Sequence, residues 1–404
     1  TMSWGASCWR SLTVGIILTS IYANEKSFLV MPDDITFLDL GLQIAQEREA
    51  IGIAIDRVLE SGVLMNGVEL GEFERELAEW HGGDEVEVVG VASGTSAIGL
   101  LMRAAGIGAG DEVIVPAFSC PATWFGVADA GAVPVAVDVE FGSRLIDPER
   151  VSAAVTDRTR AVLAVHLYGQ CCAMDSLRAV CVRHGLRLFV DGAQSIGIRS
   201  GGSRVAALGD GAAVSFYPTK NLGALDDAGA VLTCDAALAE RVRSLREYGR
   251  DGAGCYRLKG TNGRMGEMQA AVLRFRLGTL EEGNARRETL ARRYLEGLAG
   301  LEEFGVSLPG NESASVWHLF VMSIAGREKL RERLKTEGIG TAVHYPVSME
   351  DMECFRDVGG GDCEWARRLA DEVVSLPLHP RLAVGDLERI CDVVWEEVRK
   401  LSAA

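Results

Sequence analysis

Apolar residues in the first part of the chain recur at helical spacing. In QIAQEREAIGIAIDRVLESG (43–62) they fall three and four positions apart, so residues 34 to about 79 are expected to be helical with a polar face. ASGTSAIGLLMRAAGIG (92–108) keeps that period and is closed by Gly106 and Gly108, which punctuate a helix end. Beyond it the pattern changes. DEVIVPAF (111–118), GAVPVAVDV (131–139), RAVLAVHLYG (160–169), LRLFVDGAQ (186–194), GAAVSFYP (211–218) and GAVLTCD (229–235) are short β-rich runs, and helical MDSLRAVCVRHG (174–185) separates two of them. Such runs, interleaved with helices, predict an α/β fold with a mixed, mostly parallel sheet between helices.

After residue 250 a long helical stretch, 267–300, leads into a smaller α/β unit containing VWHLFVMSI (316–324) and ERLKTEGIGTAVHYP (332–346). The expected division is a large domain over 31–250, then a connecting helix and small C-terminal domain over 251–404. Ligands of parallel sheets bind beyond the carboxyl ends of the strands, and three unusual stretches lie at such ends.

The first is Ser93-Gly94-Thr95-Ser96, small residues directly before an amphipathic helix. Their N–H groups and the helix dipole suit a phosphate or carboxylate; a simple N-cap turn would use the same residues. The second is FVDGAQSIG (189–197), where Asp191 ends an apolar strand. A carboxylate there needs a cationic partner, either a structural ion pair or a protonated ring nitrogen, and Gln194 lies three residues on. The third is SFYPTKNLGALDDAGA (215–230), with Ser215 at a strand end and Lys220 in a small-residue loop. A confined lysine loses its proton readily and attacks carbonyls, although a solvated charge or a phosphate contact would also place one there. Anion seat, strand-end carboxylate and loop lysine, in that order, are what pyridoxal 5′-phosphate requires: a phosphate anchor, a partner for the ring nitrogen and an amine for the aldehyde.

With SGTSA, GDEVIVPAF, HLYGQ, VDGAQSIG, SFYPTKNLGALDDAGAV, NGRMGEMQAAVL and VHYP in this order, the chain resembles the DegT/DnrJ/StrS family of sugar aminotransferases from about Ile35 to Leu401. These are fold-type I pyridoxal-phosphate enzymes. The resemblance implies Lys220 as the catalytic, cofactor-bonded lysine, Asp191 as partner of the pyridine nitrogen and Gln194 beside the ring hydroxyl. Gly94, Thr95, Ser96 and Ser215 would hold the phosphate. Asn262 would reach the phosphate of the other subunit's cofactor, so a homodimer with shared active sites is expected. His166, Tyr217, His344 and Tyr345 would line the sugar cleft. The family's ring-stacking aromatic is replaced by Cys120, so Trp124 or Phe118 is expected to cover the cofactor, unless both are core. Asp226 stands where many relatives have glycine, and VSMEDMECF (347–355) lacks a histidine common there.

The implied reaction is amination of a nucleotide-linked keto-sugar in amino-sugar or antibiotic biosynthesis. A dTDP-3-keto-6-deoxy sugar is the expected acceptor, from the NLGAL wording after Lys220, and L-glutamate the expected donor. The alternatives are a C4 keto-sugar, keto-cyclitol or aminoglycoside-sugar aminotransferase, or a non-catalytic regulatory relative that binds the cofactor.

Composition narrows the remainder. With 404 residues and 48% apolar content a sizeable core is available. A net charge of −16 disfavours nucleic acid or an anionic membrane as partner. Ten cysteines without a CxxC pair or a His/Cys cluster predict reduced thiols, no metal and a cytoplasmic enzyme. Residues 1–30 faintly imitate a signal peptide but hold an apolar run too short to span a bilayer. They are expected to be an N-terminal extension without fixed structure, or a remnant of expression, with the first domain opening at Met31.

Overall fold

The computed structural model describes residues 34–310, 314–356, 358 and 361–403. The expected extension, 1–30, lies outside them. Asp39 caps α1 (Leu40–Ser61), its Oδ1 accepting from Leu42 N at 2.8 Å, and Gly62 ends the helix at φ 68°. α2 (Val68–His81) leads into β1 (Glu87–Val91) and α3 (Gly94–Ala104). Then follow β2 (Glu112–Pro116), α4 (Pro121–Asp129), β3 (Val133–Val137), α5 (Pro148–Ala153), β4 (Thr159–Val165), α6 (Met174–His184), β5 (Arg187–Asp191), β6 (Gly211–Ser215), β7 (Gly229–Thr233) and α7 (Ala236–Arg246).

These seven strands form one sheet in the order β1-β7-β6-β5-β4-β2-β3. Only β7 runs against its neighbours; it pairs antiparallel with both β1 and β6. The carboxyl ends of the six co-directional strands therefore share one edge, and Ser93, Asp191 and Ser215 all sit on it. The strands are buried almost throughout, which is why their sequences read as continuous apolar runs rather than alternating ones.

The helical stretch read over 267–300 is two helices, α8 (Glu267–Leu277) and α9 (Leu280–Gly297). The break falls at Gly278-Thr279, a glycine and a β-branched residue that both weaken a helix. α10 (Arg327–Thr336), α11 (Glu364–Glu372) and α12 (Val384–Ser402) accompany a second sheet, in which β8 (Phe320–Ser323) and β9 (Val373–Leu376) pair antiparallel.

Side-chain packing divides the chain later than residue 250. Leu273, Leu277 and Leu280 still belong to the large core, whereas Leu290, Ala291 and Tyr294 pack with Phe320, Leu330 and Val394 in the smaller one. Residues such as Leu319, Tyr345 and Met349 return to the large core, so the C-terminal segment reaches back across the sheet edge. Among the described residues no helix is long and apolar enough to cross a membrane.

Candidate active site

Small residues bring backbone against backbone where β1 enters α3. A Cβ added to Gly94 would lie 2.6 Å from Ser215 Cβ, and one on Gly229 would lie 2.4 Å from the Ser93 carbonyl carbon. Ser93 and Ser96 close a capping box: Ser96 N donates to Ser93 Oγ at 3.1 Å and Ser93 N to Ser96 Oγ at 2.9 Å. The Ser96 hydroxyl also donates to Ser93 O at 2.9 Å. Its side chain thus belongs to the cap and is not aimed at a ligand. The first-turn N–H groups of Gly94 and Thr95 have no intrahelical acceptor, and the Ser215 hydroxyl lies beside them, an arrangement that could hold an anion. Gly94→Ala is expected to force Ser215 and α3 apart. The expected result is a stability loss of about 1–3 kcal/mol with weaker cofactor retention, read by thermal unfolding and cofactor titration.

Asp191 ends β5 and is 3% exposed. Its Oδ2 accepts from Thr123 Oγ1 at 2.7 Å and its Oδ1 from Ala193 N at 3.1 Å. Burial pushes this carboxyl above the usual carboxylate range, against the pull of those two donors and of the Lys220 charge. Lys220 shows the opposite displacement. Burial lowers its amine, while the Cys120 thiol and Asp191 favour its charged form.

The Lys220 loop is held tightly at its base. Phe216 N donates to Ala228 O at 2.8 Å, Ala224 N to Phe216 O at 2.7 Å and Lys220 N to Tyr217 O at 2.8 Å. A Cβ on Gly223 would meet Pro218 O at 2.5 Å, so bulk is excluded after the lysine. Asn221 fixes the far side through Nδ2, which donates to Asn284 Oδ1 at 2.8 Å and Val316 O at 3.0 Å.

Gln194 is bracketed. Its Oε1 accepts from Tyr168 N at 2.6 Å and its Nε2 donates to Tyr345 Oη at 2.8 Å. The Tyr168 hydroxyl donates to His344 O. His344 Nδ1 meets Ser375 Oγ at 2.9 Å, and its ring stacks on Phe37 with centroids 5.8 Å apart. Burial, helped by the Lys220 charge, pushes His344 down to about 4, so it is neutral at pH 7. His344 and Tyr345 are thereby tied to the same wall as Gln194, with His344 within the field of Lys220.

Several expected residues stand elsewhere. His166 is 1% exposed, with Nε2 on Ala207 O at 3.1 Å and Nδ1 accepting from Cys172 N at 3.2 Å. Both ring nitrogens are taken by backbone, which leaves this histidine no hydrogen bond to offer a sugar. Trp124 is completely buried, donates Nε1 to Pro116 O at 3.2 Å and meets Phe355 edge-on at 5.1 Å. It and the equally buried Phe118 are core, and neither covers a ring. Tyr217 is 41% exposed. Asn262 is exposed, its Oδ1 held by Arg264 Nη2 at 2.8 Å.

Three residues escaped the sequence reading: Thr123, which orients Asp191; Asn221, which pins the lysine loop; and His318. His318 Nδ1 meets Asn221 Oδ1 at 3.0 Å, and burial with the neighbouring Lys220 and Arg287 charges drives its pKa well down. A lone histidine in the apolar run VWHLFV was the available signal.

The donor set suits pyridoxal phosphate on geometric grounds. A buried carboxylate lies beside a buried lysine whose pKa burial lowers, and the first-turn N–H groups of α3, where an anion would fit, stand on the same sheet edge.

Comparison with known proteins agrees. Residues 45–395 match the DegT/DnrJ/EryC1/StrS aminotransferase family. The erythromycin biosynthesis sensory transduction protein EryC1 of Saccharopolyspora erythraea is 45% identical over 87% of this chain and 96% of its own. A dTDP-3-amino-3,4,6-trideoxy-alpha-D-glucose transaminase of Streptomyces venezuelae is 43% identical over 92% of this chain and 98% of its own. Among solved structures, S. venezuelae DesV in complex with a ketimine intermediate superposes with a TM-score of 0.86 at 43% identity, covering 90% of this chain and 98% of that one. NtdA of Bacillus subtilis, solved with bound cofactor PMP, gives 0.85 at 30% identity over 91% and 86%. The chain belongs to the DegT/DnrJ/EryC1/StrS aminotransferase family.

Proposed function

We propose that this aminotransferase uses pyridoxal 5′-phosphate to convert the keto group of a nucleotide-linked sugar into an amine, with L-glutamate as donor. The observation that carries the reading is the buried Asp191 within the field of a buried Lys220, beside the close approach of Gly94 to Ser215. When bound, the cofactor supplies an electron sink for the electron pair left on the substrate carbon. Asp191, oriented by Thr123, would keep the pyridine nitrogen protonated. The Gly94 and Thr95 N–H groups and the Ser215 hydroxyl would hold the phosphate, and Gln194 would face the ring hydroxyl. Lys220 would bond the aldehyde in the resting protein; its freed Nζ, whose basicity burial lowers, would take the proton from the donor carbon and deliver it to the carbon that bears the cofactor's aldehyde, and would carry it the other way for the sugar.

The name of the S. venezuelae relative and the NLGAL wording support a dTDP-linked 3-keto-6-deoxy sugar as acceptor. Incubation with separate 3-keto and 4-keto nucleotide sugars plus glutamate, read by mass spectrometry, is expected to give an amine from the 3-keto compound. Turnover of the 4-keto compound alone would reverse the regiochemistry. The EryC1 name raises a regulatory reading. The Asp191–Lys220 pair favours the catalyst, because a protein that only binds has no need of a buried amine of lowered basicity beside a buried carboxylate.

A homodimer with shared sites is part of the proposal. Ile53, Leu59, Leu64, Val68 and Tyr256 are exposed apolar side chains, of the kind that a second copy would cover. Asn262, exposed here, would then serve the neighbouring site. Lys220→Ala and Asn262→Asp subunits, each nearly inactive alone, are expected to recover about a quarter of wild-type activity when mixed and reassociated, since a hybrid dimer holds one intact site of two. No recovery despite exchange of subunits would show that each chain builds its site alone.

A further inference from the structure

A cleft of 520 Å³ opens against the loop that carries Lys220. Its walls are the start of α1, residues 218–221, the junction of α8 and α9, and residues 379–381. Five cationic side chains line it against three acidic ones, and the acids are partly spent. Glu47 is shared by Arg276 at 2.9 Å and Arg381 at 3.1 Å, and Asp39 caps α1.

Arg287 has no such partner. It is 5% exposed, its Nη1 donates to the carbonyl oxygens of Leu378 (2.8 Å), His318 (3.1 Å) and Trp317 (3.4 Å), and among the described residues no carboxylate pairs with it. Burial and the neighbouring Arg381 charge bring its pKa down to about 10. A buried cation held only by carbonyl dipoles is costly to keep without an anion. Arg286, one position earlier, adds a second guanidinium to the cleft, bonded to Leu382 O at 3.2 Å. The seat is close to the reacting amine: Arg287 holds His318 O, and His318 Nδ1 meets Asn221, the residue after Lys220.

We propose that this cleft receives the amino donor and that Arg287, with Arg286, binds a carboxylate of that donor. The proposal rests on the aminotransferase reading of Lys220. Guanidinium groups match carboxylates in planar, bidentate fashion. An amino acid carries its carboxylate on the reacting carbon itself and so needs a cation beside the lysine. In a nucleotide sugar, the ring separates the diphosphate from the keto carbon.

The test is calorimetric titration of the cofactor-loaded protein with glutarate, a dicarboxylate that has no amine. Wild type is expected to bind it, and Arg287→Lys and Arg286→Gln to weaken binding by about 10-fold or more. Arg287 also brackets three carbonyls, so Gly283→Asp supplies an independent arm. It places a negative charge on the cleft wall where an added Cβ meets nothing nearer than Pro380 Cγ at 3.8 Å, and it too should weaken glutarate. Unchanged affinity in Arg286→Gln and Gly283→Asp would overturn the proposal, as would displacement of glutarate by thymidine diphosphate in proportion to the same arginines. Failure of the aminotransferase reading looks different: no amino acid would alter the cofactor's absorption in wild-type protein, and the donor would be removed from the cleft with it.

Discussion

Lys220→Ala is expected to abolish covalent attachment of the cofactor and to lower turnover by about 1,000-fold or more, since one side chain supplies both the bond to the aldehyde and the proton relay. The fold should survive. The loop is held by backbone bonds from Phe216, Lys220 N and Ala224, none of which uses the lysine side chain. Lys220→Arg is expected to fail equally, because a guanidinium keeps its proton and cannot serve as the nucleophile. Absorption spectra and single-turnover rates with glutamate are the readout; turnover within a few-fold of wild type would refute the role.

Asp191→Asn is expected to act in opposite directions with and without cofactor. In the stripped protein, burial raises the carboxyl's pKa above its ordinary value. Its contribution to stability is therefore fully present below the unfolded-state pKa and is lost as pH rises through the raised folded value. Burial thus makes the charged form of Asp191 unfavourable in the stripped fold, and asparagine should leave the denaturation midpoint unchanged or higher. The loaded protein should lose about 3–5 kcal/mol of cofactor-dependent stabilisation, as when one member of a buried ion pair is removed. Turnover should fall by about 100-fold or more, as when a charge-stabilising group is removed. Denaturation at pH 7 and pH 5, with and without pyridoxal phosphate, separates the two effects. A variant equally stable in both states would mean that Asp191 faces no cation.

The helix and strand pattern was legible wherever runs were long. β2 to β7 follow the β-rich stretches because strands buried on both faces need unbroken apolar sequence. β1, EVVGV, gives a weak signal; it is five residues long and follows the charged GDEV. β9 has four residues directly after an amphipathic helix. The antiparallel course of β7 could not be read, because the long loop that carries Lys220 permits either direction.

At the site, Lys220, Asp191 and the Gly94 turn were legible because each is chemically out of place in its surroundings. Side-chain direction was not. Thr123 faces Asp191, so Trp124, one helical position on, turns away toward Pro116 and Phe355. Val165 is the register partner of Asp191, and the ring of His166 goes to Ala207 and Cys172 instead of the cleft. Ser96 looks like a ligand group in the sequence, but its hydroxyl is consumed by the cap. Thr123, Asn221 and His318 act through partners far away in sequence, which no local motif displays.

One measurement tests the account most directly. The purified protein is treated with borohydride, digested and mapped by mass spectrometry. A reduced pyridoxyl group on the peptide containing Lys220, and its disappearance in Lys220→Ala, is the predicted result. A pyridoxyl group on a different lysine, or none in protein that has been supplied with the cofactor, would contradict it.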